Sequence, residues 1–497
     1  MRSGFDNEEY IRIQSEHIRE RIGRFGGKLY LEFGGKLFDD YHASRVLPGF
    51  RPDSKISMLM RMKENAEAII AVNAGDIEKN KMRGDLGITY DMETLRLIDS
   101  FRERGMFVEN VVMTKYTSQP AAIAFEKRLK ALNIKVYKHY LIDGYPLNVE
   151  HIVSDAGYGR NEFVKTSKPL VVVTAPGPGS GKMATCLSQL YHENKRGVSA
   201  GYAKFETFPI WNIPLKHPIN LAYEAATVDL ADVNMIDPFH LEAYGKRAVN
   251  YNRDIEVFPV VNSMLKKILG ESPYRSPTDM GVNMAGYCIT DDTVVSGAAS
   301  LEVIRRYYDL LKDRKQGTAS DEMVSRLEFL MKNADIGPGD RRVISEVKKT
   351  ADVLDIPVSG IELEDGNVIT GKTSSLLGSG SAAILNALKT IAGLDDSILL
   401  ISPRILEPIQ KLKTENLGFR DTALDVDEML IALSISAQTD PVAKAALEQL
   451  PRLRGCEMHS SVILPPVDDS VLKSLGLNVT CEPRYQNSFL YQGQRKK

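Results

Sequence analysis

The stretch from Val171 to Leu190, VVVTAPGPGSGKMATCLSQL, constrains the fold of this chain more than any other. Val171, Val172, Val173 and Thr174 prefer a strand, a loop of Pro, Gly and Ser follows, and after Lys182 the spacing turns helical, with Met183, Leu187 and Leu190 on one side. Strand, glycine loop, lysine and helix form the arrangement that cradles phosphate in P-loop proteins. Free backbone N–H groups and the positive end of the helix dipole face the anion, and the lysine adds a full charge. The match to G-x-x-x-x-G-K-[ST] is incomplete: Pro176 stands at the first glycine and Met183 at the magnesium-binding hydroxyl. Pro178 removes one more donor, which leaves the N–H groups of Gly177, Gly179, Ser180, Gly181 and Lys182. A phosphate or carboxylate at this loop is the leading reading. A nucleotide with magnesium would need Thr185 or a distant carboxylate in place of Met183. A dinucleotide, with Glu206 as the ribose acid, departs further from the expected spacing. A tight strand-to-helix turn that binds nothing is the remaining alternative.

The segments around this loop alternate. Strands are predicted at 28–33, 68–73, 108–114, 135–140 and 170–174, with helices at 7–24, 57–63, 92–104 and 119–132. Strands alternating with helices of this length predict a doubly wound, mostly parallel sheet. Ligands of such sheets bind beyond the carboxyl ends of the strands, so Asn73, Asp76, Lys115 and the loop 175–182 are expected to share one crevice. The span 198–260 reads as less regular and rich in aromatics and Pro. Helices at about 297–315, 319–332 and 339–353 suggest a helical insert, and beyond Ile356-Pro357 the pattern returns to α/β. A hairpin turns there at Asp365-Gly366, a helix runs to 392, and strands are expected at 397–402, 456–464 and 477–481. The organisation is therefore an N-terminal α/β domain over 1–270, a mainly helical subdomain over 271–355 and a C-terminal α/β domain over 356–497.

Other candidate groups are more local. Asp39, Asp40 and His42 lie in a polar cluster beside Gly34-Gly35, as a site rim or as a solvated loop. Asp237 and His240 could pair as carboxylate and imidazole for acid–base work; the duller reading is a helix cap at Asp237-Pro238. Lys372 with Gly378, Ser379 and Gly380 marks a second glycine-rich helix start, as an anion site or as a helix packed closely on a sheet through small residues. Arg305, Arg306, Arg341 and Arg342 could reach a phosphate or lie on solvated helix faces. Cys456-x-x-His459 with Cys481 shows only three ligands, and no metal is expected. Lysine plus arginine (63) balances aspartate plus glutamate (65), so no global field favours nucleic acid or an anionic membrane. Four scattered cysteines, a charged N-terminus without an apolar core and the lack of any long apolar run suit a cytoplasmic protein.

Over nearly its whole length the chain resembles the bacterial family known as domain of unknown function 1846. LYLEFGGKLFDDYHASRVLPGF (29–50), RGDLGITYD (83–91), VVVTAPGPGSGKMATCLSQLYHE (171–193), KFETFPIWN (204–212), SPTDMGVNMAG (276–286) and HSSVIL (459–464) carry the resemblance. It implies cytosolic bacterial proteins with a larger N-terminal part and a separate C-terminal α/β part. It also implies that Met183 belongs to the loop motif, which argues against an ordinary magnesium–ATP P-loop. The expected function is an enzyme that binds a nucleotide or a sugar or nucleoside phosphate for phosphoryl or group transfer. Lys182 is the central residue, with Asp39, Asp40, His42, Asp237 and His240 as acid–base candidates and magnesium as the cofactor of a nucleotide. A non-catalytic phosphometabolite-binding or assembly protein, and a dinucleotide-dependent oxidoreductase, are the alternatives. The expected partners are a small phosphorylated molecule and further copies of the chain.

Overall fold

The computed structural model describes residues 2–83 and 86–486. They divide into two compact units, one of 2–224 with 231–299 and the other of 225–230 with the chain from 300 onward.

The first unit is built on a seven-stranded parallel sheet: β1 (Leu29–Phe33), β2 (Ala66–Asn73), β3 (Phe107–Tyr116), β4 (Lys135–Tyr140), β5 (Leu170–Thr174), β6 (Gly201–Phe205) and β7 (Gly281–Val282). Every residue of β2 and β5 is buried, the near-continuous apolar run expected of parallel strands covered on both faces. The spatial order is β7-β6-β1-β5-β2-β3-β4. From β1 the chain proceeds to β2, β3 and β4 in one direction, then returns to β5, between β1 and β2, and continues to β6 and β7 on the other side. Right-handed crossovers place the connections made before and after this reversal on opposite faces of the sheet. The segment leaving β5 therefore parts from those leaving β1 and β2, and a crevice opens at their carboxyl ends. The glycine loop occupies that point.

Four helices matter for the crevice. α1 (Asn7–Arg24) starts where Asp6 accepts the Glu9 N–H at 3.0 Å, and α2 (Tyr90–Glu103) and α3 (Pro120–Ala131) connect β2, β3 and β4. α4 (Lys182–Lys195) follows the glycine loop and covers β1, β5 and β6. Its outer end is tied down at Glu193, which accepts from the Tyr30 hydroxyl at 2.7 Å and pairs with Lys28. A further helix, α5 (Asn252–Leu269), packs against α4.

The structure corrects the reading of 198–260 as irregular. Gly201–Phe205 is an interior strand of the sheet, in register with β1 from Leu29↔Gly201 to Phe33↔Phe205. Its alternation of small or aromatic with polar residues resembles a half-exposed strand, and the prolines after it hide its boundary. The second unit carries a mixed sheet of β8 (Val358–Glu362), β9 (Val368–Lys372), β10 (Glu457–Ser460) and β11 (Asn478–Cys481), in the order β9-β8-β10-β11. The β8–β9 hairpin turns through Gly366, whose φ of 83° is left-handed. The expected strand at 397–402 does not form; Leu400 and Ile401 are instead irregular chain buried in this unit's apolar core. Helix α6 (Ser379–Ile391) lies against the hairpin. No helix among the described residues is long and apolar enough to cross a membrane.

Candidate active site

The glycine loop turns its carbonyls inward. Ser180 Oγ donates to the Gly177 carbonyl at 2.9 Å, Thr114 Oγ1 to the Ser180 carbonyl at 2.8 Å, and Thr185 Oγ1 to the Gly181 carbonyl at 2.9 Å. Gly179 and Gly181 have φ of 78° and 86°, a region only glycine enters at little cost. With the carbonyls held this way, the N–H groups of Gly177, Gly179, Ser180, Gly181, Lys182 and Met183 find no acceptor among the described residues. The last two open the first turn of α4, where the helix dipole is positive.

Lys182 is half-buried, and its side chain makes no hydrogen bond or ion pair with any described residue. Burial pulls its ammonium below the ordinary value; Glu32 opposes the fall and Lys204 adds to it. An unpaired, partly desolvated cation in front of free N–H groups is costly unless an anion joins it. Thr185 is fully buried, and its hydroxyl, like that of Ser180, donates its hydrogen to a loop carbonyl. Among the described residues no three His, Cys, Asp or Glu side chains are placed to hold a metal.

Beside Lys182 lies a polar cluster of which the sequence singled out only Glu206. Glu32 and Lys204 are register partners on β1 and β6 and so share one face of the sheet, the face covered by α4. Tyr202, also on that face, donates its hydroxyl to Glu32 Oε2 at 2.7 Å. Lys204 Nζ meets Glu206 Oε1 at 2.8 Å, the Asp254 carboxylate at the start of α5, and the Tyr251 hydroxyl. Burial works against the Lys204 charge, but Asp254 and Glu206 hold it well above its ordinary value. Burial pushes Glu206 up to about 7; Lys204 opposes the rise and Asp254 adds to it. The candidate ribose acid is thus a buried carboxyl bound to a lysine. Lys204 and Asp254 carry no motif in the sequence, and Glu206 stood out there only as the ribose acid of a dinucleotide. The i, i+2 spacing of Lys204 and Glu206 with Tyr202 was the one available sign of a polar strand face.

The other candidates are placed elsewhere or already engaged. Asp40 caps the helix Tyr41–Val46, accepting the Ala43 N–H at 3.1 Å, and pairs with buried Lys55 at 2.6 Å. Burial would raise its pKa, but Lys55 and the Ala43 N–H hold it below the usual carboxylate value. Asp39 pairs with Arg96 at 3.3 Å, and His42 stands edge-on to Phe208. Asn73 accepts from the Gly75 N–H, Asp76 meets Lys81 at 3.3 Å and Lys115 is exposed. Asp237 and His240 do not form the expected side-chain pair. Asp237 is a buried helix cap that accepts the His240 backbone N–H at 3.0 Å and the Thr278 hydroxyl at 2.6 Å, while the imidazole shares a hydrogen bond with Ser276. His240 lines a separate cavity of about 490 Å³ together with Arg21, Trp211, Asp279 and Tyr287.

In the second unit, the glycine-rich helix start is occupied by packing. Gly378 N–H donates to the Leu424 carbonyl at 3.1 Å, Ser379 Oγ lies 2.8 Å from Ser359 Oγ, and Gly380 faces Val426, Leu472 and Met458. At Gly371 any side chain would enter the backbone of Ala382 and Ala383 on α6. Lys372 is exposed. Arg305 and Arg341 are neither phosphate ligands nor solvated: both are buried on Glu457 at 2.7 Å, and Arg305 also bonds Glu302 at 2.8 Å. His459 pairs with Thr480, whereas Cys481 pairs with Ser460. Strand alternation thus turns His459 and Cys481 to opposite faces.

The family model for domain of unknown function DUF1846, N-terminal, matches residues 3–335, and its C-terminal counterpart matches 339–491. A UPF0371 protein of Corynebacterium urealyticum is 56% identical over 490 residues, 98% of this chain and 99% of the relative. One from Corynebacterium diphtheriae is 55% identical over the same length and shares. One from Streptococcus pneumoniae is 53% identical over 491 residues, 99% of each chain.

Proposed function

The chain belongs to the DUF1846 family, and from that premise, which carries no activity, we propose that it is an enzyme acting on a phosphorylated small molecule. The phosphate sits on the loop 177–183, and the rest of the ligand lies toward Glu32, Lys204 and Glu206 for phosphoryl or group transfer. The observation that carries this reading is Lys182, a half-buried ammonium without a partner among the described residues, set before N–H groups that also lack one. A bound phosphate supplies both with charge and acceptors at once. Preorganised donors of this kind stabilise a transferring group without reorganising.

The test is a thermal-shift screen of inorganic phosphate, nucleotides and sugar phosphates, with and without magnesium, on wild type and Lys182→Ala. A ligand at about 100 times its Kd stabilises the fold by about 2.7 kcal/mol. A shift confined to one phosphate class and lost in Lys182→Ala supports the site. No shift with any anion refutes it. Phosphorus NMR of the bound ligand then separates turnover from binding without chemistry, the mark of a non-catalytic phosphometabolite-binding protein.

A further inference from the structure

Two carboxyl groups and one ammonium meet at the end of β6. Lys204 Nζ touches Glu206 Oε1 at 2.8 Å and the Asp254 carboxylate, and Asp254 lies within hydrogen-bond reach of Glu206. One positive charge cannot satisfy two buried carboxylates, so the cluster is neutral only while it keeps one proton. Asp254 lies in the first turn of α5. Glu206 follows the last residue of its strand, with Gly281 behind it; a Cβ at Gly281 would approach Glu206 Oε2 to 3.0 Å. Burial and the neighbouring Asp254 carboxylate both raise Glu206, so a proton taken up by the cluster goes to Glu206. The groups facing it are Lys204 from β6, Asp254 from α5, Tyr251 and Tyr223, while Glu32 from β1, bonded by Tyr202, acts on Lys204. Lys182 lies close enough to Lys204 for the two ammonium groups to oppose each other.

We infer that Glu206 is the proton-transfer group of the crevice, taking a proton from a hydroxyl of the ligand whose phosphate rests at Lys182, with Lys204 and Asp254 as its positioning residues. The ligand's O–H bond breaks, the proton passes to the Glu206 carboxylate, and the electron pair stays on the ligand oxygen. This rests on the proposal that the loop binds phosphate. It adds that the ligand carries a free hydroxyl within reach of its phosphate, as sugar phosphates and nucleotides do. A carboxyl poised near neutrality suits such a role, because both of its protonation states are populated at working pH.

The experiment labels the glutamate carboxyls of the full-length protein isotopically and follows them by NMR between about pH 5 and about pH 9, where ordinary glutamates are already ionised. The expected result is one carboxyl titrating near neutrality, absent in Glu206→Gln. Saturating inorganic phosphate raises its midpoint by about half a unit or more, because a nearby anion opposes the second negative charge. That upward shift vanishes in Lys182→Ala, a variant that leaves Glu206 in place should Glu206→Gln fail to fold. A neutral-range carboxyl that ignores bound phosphate, or that persists in Glu206→Gln, overturns the assignment alone. Failure of phosphate to bind, with the neutral carboxyl still present, overturns the loop reading and the assignment with it.

Discussion

Replacing Gly177 by alanine adds one methyl group to the most crowded point of the loop. A Cβ there would stand 2.7 Å from Tyr90 Cζ, and closer still to its hydroxyl, where ordinary contact begins at 3.4 Å. Tyr90 is poorly placed to retreat. It is 4% exposed, it opens α2, its N–H donates to the Lys81 carbonyl at 2.9 Å, and the Lys81 ammonium sits 5.0 Å over its ring. Overpacking of this kind costs about 1–3 kcal/mol, and each kcal/mol lowers Tm by about 2–4 °C in a unit of this size. Trp211 is the only tryptophan and lies in the first unit, so its fluorescence in a urea melt reports this unit. The same substitution made in a Tyr90→Leu background meets no ring, and its penalty should largely disappear. The double variant is then more stable than the sum of the single effects by about 1–2 kcal/mol, a coupling expected only of residues in contact. Additivity within about 0.5 kcal/mol would refute the packing argument. Unchanged phosphate affinity in Gly177→Ala would show that the loop's shape does not matter to binding.

Gly181→Ala should cost about 1–2 kcal/mol in the same melt, from its left-handed φ and a Cβ 3.0 Å from Thr114. Gly179→Ala, equally left-handed but facing open space, should cost about 1 kcal/mol, and a larger loss there would contradict the comparison. Glu457→Gln leaves Arg305 and Arg341 buried without their shared carboxylate, and circular dichroism in urea should show a loss of about 3–5 kcal/mol in the second unit. Burial would raise the Glu457 pKa, but the two arginines hold it below the ordinary value. Its contribution is therefore present above the unfolded pKa and lost as pH falls, so wild type and variant should converge in acid; a gap independent of pH would be inconsistent with ion pairing. Burial lowers His139 from 6.5 to about 4. Between these values the unfolded chain binds a proton that the folded chain does not. His139 should therefore make stability fall by about 3 kcal/mol as pH drops from neutral toward 4, and His139→Gln should remove that part of the slope, leaving the share of His459, which burial lowers likewise.

Much of the fold was legible in local pattern. Val171–Thr174, the glycines and the spacing of Met183, Leu187 and Leu190 predict β5, the loop and α4 without any knowledge of neighbours, because strand and helix periods and left-handed turns are properties of adjacent residues. The same holds for Asp365-Gly366 and for Asp237, whose cap on the helix at 238 acts over three residues. Where sequence reasoning failed, the deciding contacts were distant. Gly201–Phe205 reads as irregular until β1 pairs with it. Arg305 and Arg341 read as surface charges until Glu457, more than 100 residues away, buries them.

The crevice shows the same division. Its glycine loop, five backbone donors and a lysine over six residues, was set down by the sequence alone, since a loop of glycines before a helix exposes N–H groups whatever surrounds it. The polar cluster beside it was decided only in three dimensions. Glu32, Lys204 and Asp254 are far apart in the chain and have no shared spacing. They converge because β6 returns to lie beside β1 after the sheet reverses direction, and because α5 starts beside the end of β6. Whether Lys182 has a partner, whether Glu206 keeps its proton and whether Asp39 and Asp40 are free are questions of distance and burial, and only the folded chain sets those.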